Sequence, residues 1–476
     1  MLGLFGSLNM AARSLSTQQR AAEVAGHNLA NVNTPGYARQ RVNIATALAI
    51  PSPIGPQGTG AEAVGIQQIR DLFIDRQITS EASVRGSLES QRDAVQLVQA
   101  ALGQQIDRAA TGSADAAAST GIGGQHGLAE DLSDLFNAFQ GLSTDATSSA
   151  ERQTLIIKAQ NLATQFNQVS RRLGDLKDTF NESLSAKVDV ANLALADIAK
   201  LNEQIAYTER TFGGPANDLR DQRQTRLEDL ARLVNIDTTT NADGSIDLSI
   251  DGATLVSGPN VLEQLETYDS GGSQLLVRVR STSTPLTLSG GAMQGLIDAR
   301  DGELARLQTD LDALAANVIA EINSLHTGGY GLAGTTGETF FNGTDAATIQ
   351  VNAVLVSDPG RIQASDVSGD VGNNKIAVAL AQLAEKKLSA LNNQTLQQSY
   401  GQTIARMGQT LNATNVQLSN QQIVEKMLAA QRESISGVSL DEEMTDLIKF
   451  QRAYEASAKL IVTIDEMLET VVNLKR

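Results

Sequence analysis

Apolar residues recur along most of this chain at alternating steps of three and four, the spacing that lays a stripe down one face of an α-helix. From Ala159 the stripe runs through Leu162, Phe166, Val169, Leu173, Leu176 and Phe180. Two successive four-residue steps, through Leu184 and Val188, read as a stutter, after which Ala191, Leu195, Ile198 and Ile205 resume the pattern. The spacing predicts one helix from about Leu155 to Ala206, roughly 78 Å long at 1.5 Å per residue. A second long helix carries Met293, Ile297, Leu304, Leu307, Leu311, Leu314, Val318, Ile322 and Leu325, and a third, less regular one carries Ile404, Met407, Leu411, Leu418 and Leu428. Shorter faces fall at Leu88, Val95, Val98 and Leu102 and at Leu128, Leu132, Leu135 and Phe139. Mutual packing in a helical bundle satisfies all of these stripes.

The middle of the chain changes period. Ile246, Leu248 and Ile250 alternate with Asp247, Ser249 and Asp251, and Asp243-Gly244 and Asp251-Gly252 supply turn chemistry. Val277 and Val279 alternate with Arg278 and Arg280. Residues 236–289 therefore read as a small β-rich insertion between helices. A Gly-rich stretch from Gly328 to Gly343 reads as loop or hairpin, with strand signal at Ile349, Val351, Val354 and Val356.

Both ends carry amphipathic helices. In the first, Leu4, Leu8, Ala11, Leu15, Ala22, Ala25 and Leu29 share one face, interrupted by Gln18. In the last, Leu440, Met444, Leu447, Tyr454, Ala458, Ile461, Leu468 and Val472 form a stripe that Phe450, Ile464 and Val471 widen, enough to meet more than one neighbour. Each stripe needs a partner, and the economical choice is the other. Charge agrees: residues 1–41 hold four arginines against Glu23, and the chain from Leu440 holds eight acids against five bases, Lys475 and Arg476 among them. The fold class expected is mainly α with a small β-rich insertion, a long-helix bundle whose N- and C-terminal helices pair as a coiled coil.

Composition narrows what such a molecule does. Ten Phe, six Tyr and no Trp in 476 residues leave Ala and Leu to fill most of the core. A formal charge of −17 repels phosphate backbones and anionic membrane surfaces, so neither nucleic acid nor membrane insertion is expected. The absence of cysteine removes disulfides, thiolate metal sites and a Cys nucleophile. The start, Met1 to Ser7, lacks the make-up of a cleaved signal peptide, so an export route that spares the start is expected.

No motif in the chain carries a specific chemistry. His27, His126 and His326 are far apart in sequence and lack ligand spacing. Asn241 to Asp247 lacks the acids of a calcium loop and reads as a β-turn. Gly121-Ile122-Gly123-Gly124 and Gly328-Gly329-Tyr330-Gly331 are not phosphate loops, and Glu442-Glu443 fits a solvated helix face. No catalytic, cofactor or metal residue is expected, and no cofactor.

Between the first helix and the prolines Pro51, Pro53 and Pro56 stands Asn28-Leu29-Ala30-Asn31-Val32-Asn33-Thr34-Pro35-Gly36-Tyr37, a helix stop followed by a fixed bend. The run Ala30 to Tyr37, with Asn31, Asn33, Thr34, Pro35, Gly36 and Tyr37, resembles the signature of the bacterial flagellar axial proteins, the rod, hook and hook-associated subunits. Ser436 to Glu443, Leu447 to Gln451, Ala453-Tyr454 and Ala456 to Lys459 are similar to the last helix of the hook-associated members. Asp218-Leu219-Arg220-Asp221-Gln222-Arg223 and Gly290-Gly291-Ala292-Met293-Gln294-Gly295-Leu296 resemble their interior.

The resemblance implies a non-enzymatic structural subunit of the extracellular flagellum, exported through the flagellar type III apparatus and assembling as a homo-oligomeric ring at the hook tip, between hook and filament. It implies hook protein, hook-associated protein 3 and a cytosolic export chaperone as partners, with the chaperone on the C-terminal stripe. It also implies a terminal unit of residues 1–45 plus 438–476 lining an inner tube, a bundle of 46–235 plus 290–437, and 236–289 outermost. Another axial subunit is the alternative, and a secreted coiled-coil effector or adhesin the rival from a different class.

Overall fold

The computed structural model describes residues 3–51, 55–102 and 127–473. His126, the Gly121–Gly124 run, Pro53, Lys475 and Arg476 lie outside the described residues. Helix α1 (Leu4–Ala30) leads through a turn into a hairpin of β1 (Gln40–Thr46) and β2 (Ala61–Gln68). Then come α2 (Leu72–Ala101), α3 (Leu128–Thr144), α4 (Ser149–Phe212) and α5 (Asn217–Leu233). Strands β3 (Asp237–Thr240), β4 (Ile246–Ile250), β5 (Ala253–Ser257) and β6 (Asn260–Val261) form an antiparallel sheet in chain order, and β7 (Leu265–Asp269) pairs with β8 (Leu275–Val279). Helix α6 (Gly291–Asp298) runs through a π-helical turn, Ala299–Leu304, into α7 (Ala305–His326). The short pair β9 (Phe341–Asn342) and β10 (Gln350–Val351), then α8 (Ala353–Ser357), α9 (Lys375–Gln382), α10 (Leu396–Ser436) and α11 (Leu440–Asn473), complete the chain.

Helix α4 is the axis of the bundle. Its 64 residues span about 96 Å. Ser148 caps its start by accepting from the Glu151 N–H at 3.3 Å, and Gly213, at φ 70°, releases its end. Leu155, Leu162, Phe166, Leu173, Leu184, Leu195, Ile198 and Ile205 are all fully buried, so the seam runs unbroken through the stutter. The helix begins and ends six residues beyond the periodic core because the cap chemistry, not the stripe, sets its limits.

Polar residues on α4 dock the strands along it. Asn181 donates to the Ser273 carbonyl at 2.9 Å. Asn192 exchanges two 2.9 Å bonds with the Leu265 backbone, and Asn202 donates to the carbonyls of Ile246 and Gly258 at 2.9 and 2.7 Å. Steps of 11 and 10 residues are close to three turns, so the three amides share one face. Strand residues Ile246, Leu248, Ile250, Leu255, Val256, Leu265, Val277 and Val279 join the same buried cluster as the helices. The π turn serves the same contact: buried Arg300 donates at 2.6 Å to both Asn181 Oδ1 and the Leu275 carbonyl.

One expected strand is shorter than its sequence signal. Val354 and Val356 do not extend a strand; the strand stops at Val351, and Asn352 accepts from the Val354 N–H to start α8. The hairpin at residues 40–68 lies outside the elements that the pattern predicts; of its alternating apolar positions only Val42 is buried, and Ile44, Val64 and Ile66 are exposed. Among the described residues no helix is long and apolar enough to cross a membrane.

Candidate assembly interface

The terminal helices α1 and α11 pack along each other. On α1 the buried Ala11, Ala21, Ala25 and Asn28, with half-buried Ser14 and Gln18, follow the three-four spacing, and Ser14 meets Ser457 of α11 at 3.1 Å. Alanines and serines at such a contact let two helices approach closely. A second face of α1 covers the hairpin: Thr17 donates to the Ala61 carbonyl at 3.2 Å, and Ala21, Val24 and Val42 cluster with Ala63 and Phe450. So α1 is held on two sides.

The expected face of α11 is rotated. The line toward α1 carries Leu447, Phe450, Ile461, Ile464 and Leu468, of which Ile464 is buried and the rest half-buried. Leu440, Met444, Tyr454 and Val471, placed at or beside the stripe by spacing alone, are exposed. Phe450 and Ile464, which only widened the stripe, thus pack beside Leu447, Ile461 and Leu468 of the stripe itself. The reason is polar: Glu443 turns inward, 97% buried, and takes the rotation of the helix with it. Its carboxylate lies 2.6 Å from Arg39 Nε and accepts from Asn28 Nδ2 at 3.0 Å. Arg39 also reaches Glu442 at 2.6 Å, so the opposite charges counted at the two ends meet at this point. On α1, Ala11 and Ala25 are buried, and Leu4, Leu8, Leu15, Ala22 and Leu29 are half-buried.

The turn after α1 is closed on itself. Asn31 caps the helix, its side chain donating to the His27 carbonyl at 3.0 Å and accepting from Thr34 Oγ1 at 3.1 Å. The Thr34 N–H returns to the Asn31 carbonyl at 2.9 Å. Gly36 has φ 78°, and a Cβ there would stand 2.6 Å from Thr225 Oγ1, so the position demands glycine twice over. Tyr37 donates its hydroxyl to Asn28 Oδ1 at 2.8 Å and lies 3.0 Å from His27 Nδ1. Burial first, then the carboxylates of Asp218, Asp221 and Glu443, push the Tyr37 hydroxyl well above its usual range, so it stays a donor. Asn33, Thr34 and Pro35 are exposed.

Asn28 is the residue that spacing missed. Both of its side-chain atoms are used twice: Nδ2 donates to the Gln40 carbonyl and to Glu443, and Oδ1 accepts from the Gln40 N–H and from Tyr37. One amide thereby ties the helix, the hairpin, the turn and the last helix together. Its signal in the sequence was a buried-face position held by an asparagine.

The residues after the turn reach the bundle. The Ala38 N–H donates to Asp221 Oδ2 at 3.0 Å, Gln68 and Arg70 donate to Asp221 Oδ1, and Gln40 donates to Asp218 at 2.6 Å. Burial pushes the Asp221 carboxyl up to about 6 against the pull of these donors. Among the described residues no group of three or more His, Asp or Glu side chains is placed to hold a metal ion.

Residues 118–341 match the model of the flagellar hook-associated protein FlgK helical domain. Residues 8–37 match that of the flagella basal body rod protein, and residues 426–474 that of the flagellar basal body rod FlgEFG protein C-terminal region. The chain is 27% identical to flagellar hook-associated protein 1 of Bacillus subtilis over 99% of both chains, and 23% identical to that of Escherichia coli over 98% of this chain and 99% of the relative. Among solved structures it is similar to the flagellar hook junction protein FlgK from Burkholderia pseudomallei, at TM-score 0.61 and 16% identity, over 76% of this chain and 100% of that one. Over almost its whole length the chain is thus similar to flagellar hook-associated protein 1, and the domain models it matches are those of flagellar axial structural proteins.

Proposed function

We propose that this protein is the subunit that joins hook to filament, exported through the flagellar type III apparatus and self-assembling through α1 and α11 as a ring of copies at the hook tip. The observation that carries this reading is the surface of α11. Leu440, Met444, Ile448, Leu460, Val462, Met467, Val471 and Val472 are exposed in the single chain. Burying a side chain of this kind is worth about 1.5–3 kcal/mol, so a row of them favours neighbours strongly. The terminal unit, residues 1–45 plus 438–476, lines the inner tube in this reading, with the bundle outside it and the strands of 236–289 outermost. Hook protein and hook-associated protein 3 flank the ring, and a cytosolic chaperone covers α11 before export.

Removal of residues 440–476 tests the reading. The truncated chain keeps a folded bundle and fails to join isolated hooks in electron micrographs. Normal junctions formed by the truncation would overturn it. The matches of both ends to rod-protein models support a second reading, another axial subunit. Such a subunit binds completed junctions or rods in preference to bare hook ends, and the same micrographs separate the two.

A further inference from the structure

We propose that the first two turns of α5 are a latch that sets the angle between the terminal pair and the bundle, with the Asp221 carboxylate as its pin. The terminal pair and the bundle have separate apolar cores. Ala21, Val24 and Val42 form one small cluster with Ala63 and Phe450 against it, while α5 sends Leu227, Leu230 and Ala231 into the large cluster of the bundle. Apart from the Arg39 N–H, which donates to the Ser436 carbonyl at the end of α10 at 2.8 Å, the polar bonds described between the two gather on one face of α5.

Asp221 accepts from three donors on three different stretches: the Ala38 N–H after the turn, Gln68 at the end of β2, and Arg70 before α2. One turn earlier Asp218 accepts from Gln40, and Asn217 donates to the Ile66 carbonyl at 3.3 Å. One turn later Thr225 fills the space beside Gly36. Asn217, Asp221 and Gln40 are all more than nine-tenths buried. Apolar contacts are non-directional and let two bodies slide. Charge-assisted bonds out of solvent are directional, and three of them to one carboxylate fix an orientation. The Asp218-to-Arg223 run thus has a use that packing alone does not supply: Arg223 faces the bundle, bonded to Asn202 and the Gly244 carbonyl, while Asp218 and Asp221 face the terminal unit.

Two nitroxide labels report the angle in the full chain. The protein has no cysteine of its own, so Ser16→Cys on α1 and Gln204→Cys on α4, both at exposed positions, take the only labels. The distance between them, read by pulsed electron resonance, is expected to be narrowly distributed. Asp221→Ala is expected to broaden that distribution at least about twofold, with Asp221→Asn in between. Helical content and the melting of the bundle serve as the check on folding. If Asp221→Ala does not fold, Gln40→Ala and Asp221→Asn decide. Distributions as narrow as in the unsubstituted chain, in variants whose bundle is intact, overturn the latch. No hook is involved, so the result is independent of the junction role.

Discussion

Helices α4 and α11 are both long, both amphipathic, and end in opposite situations. From Leu155 to Ile205, α4 buries every apolar residue of its seam except the half-buried Leu176, whereas α11 buries only Glu443 and Ile464 in 34 residues. The apolar stripes that produce these outcomes look alike in sequence. A stripe records that a helix needs a partner, not that the partner is in the same chain. The bundle satisfies α4 internally, and the other face of α11 stays exposed in the single chain.

The comparison is open to direct attack. Phe166→Ala in α4 removes a fully buried ring and should cost about 3–5 kcal/mol, read as a drop in the denaturant midpoint of the bundle. A loss below about 1 kcal/mol would mean that the α4 seam is not the stabilising core described above.

Acid should loosen the bundle next. His326 is buried, its Nδ1 2.7 Å from the Glu338 carbonyl and its Nε2 accepting from the Gln363 N–H at 3.0 Å. Burial lowers its pKa from 6.5 to about 4. The unfolded chain therefore takes up the proton first as pH falls. Stability from this residue is complete above about pH 6.5 and is lost as pH falls toward 4, by about 3 kcal/mol. Urea midpoints compared between the protein and His326→Gln across that window should show the slope flattened in the variant. An equal slope in both would assign the acid sensitivity elsewhere.

Asn28→Ala acts on the other region. It leaves Glu443 and the Gln40 backbone without their shared partner, at a cost of about 2 kcal/mol. Hydrogen exchange in α1 and α11 should speed up while α4 is unchanged. Uniform acceleration across the chain would show that the two regions unfold as one.

The smallest effect sharpens the comparison most. Ile448 is 54% exposed, so Ile448→Ala should change the stability of the isolated chain by less than about 0.5 kcal/mol. Its cost should appear instead in the binding of hook ends. A large loss in the isolated chain would place this face of α11 against its own bundle.

Much of this was legible before the structure. The seam of α4 reads directly, because a three-four spacing kept over about 13 turns, with one stutter, leaves no competing period. The bend at Asn31 to Tyr37 reads as well, because capping and positive φ are local demands that residue type alone can announce. The rotation of α11 was not legible. Leu440 and Met444 have the apolar character of an inner position, and Glu443 has not; only the distant partners Arg39 and Asn28 make its burial favourable. The docking of the strands was hidden for the same reason, since Asn181, Asn192 and Asn202 look like solvated positions until the strand backbones beside them are known.

The sequence by itself determined that this protein is a set of long helices, that its two ends belong together, and that a glycine-bearing turn follows the first helix. These are consequences of period, charge and backbone preference, all properties of neighbouring residues. Only the tertiary structure decided which face of α11 is inside, what holds the strands to α4, and how the terminal pair is tied to the bundle through Asp221. Each of those rests on a buried polar group, and such a group is stable only when chain far away in sequence supplies its hydrogen bonds.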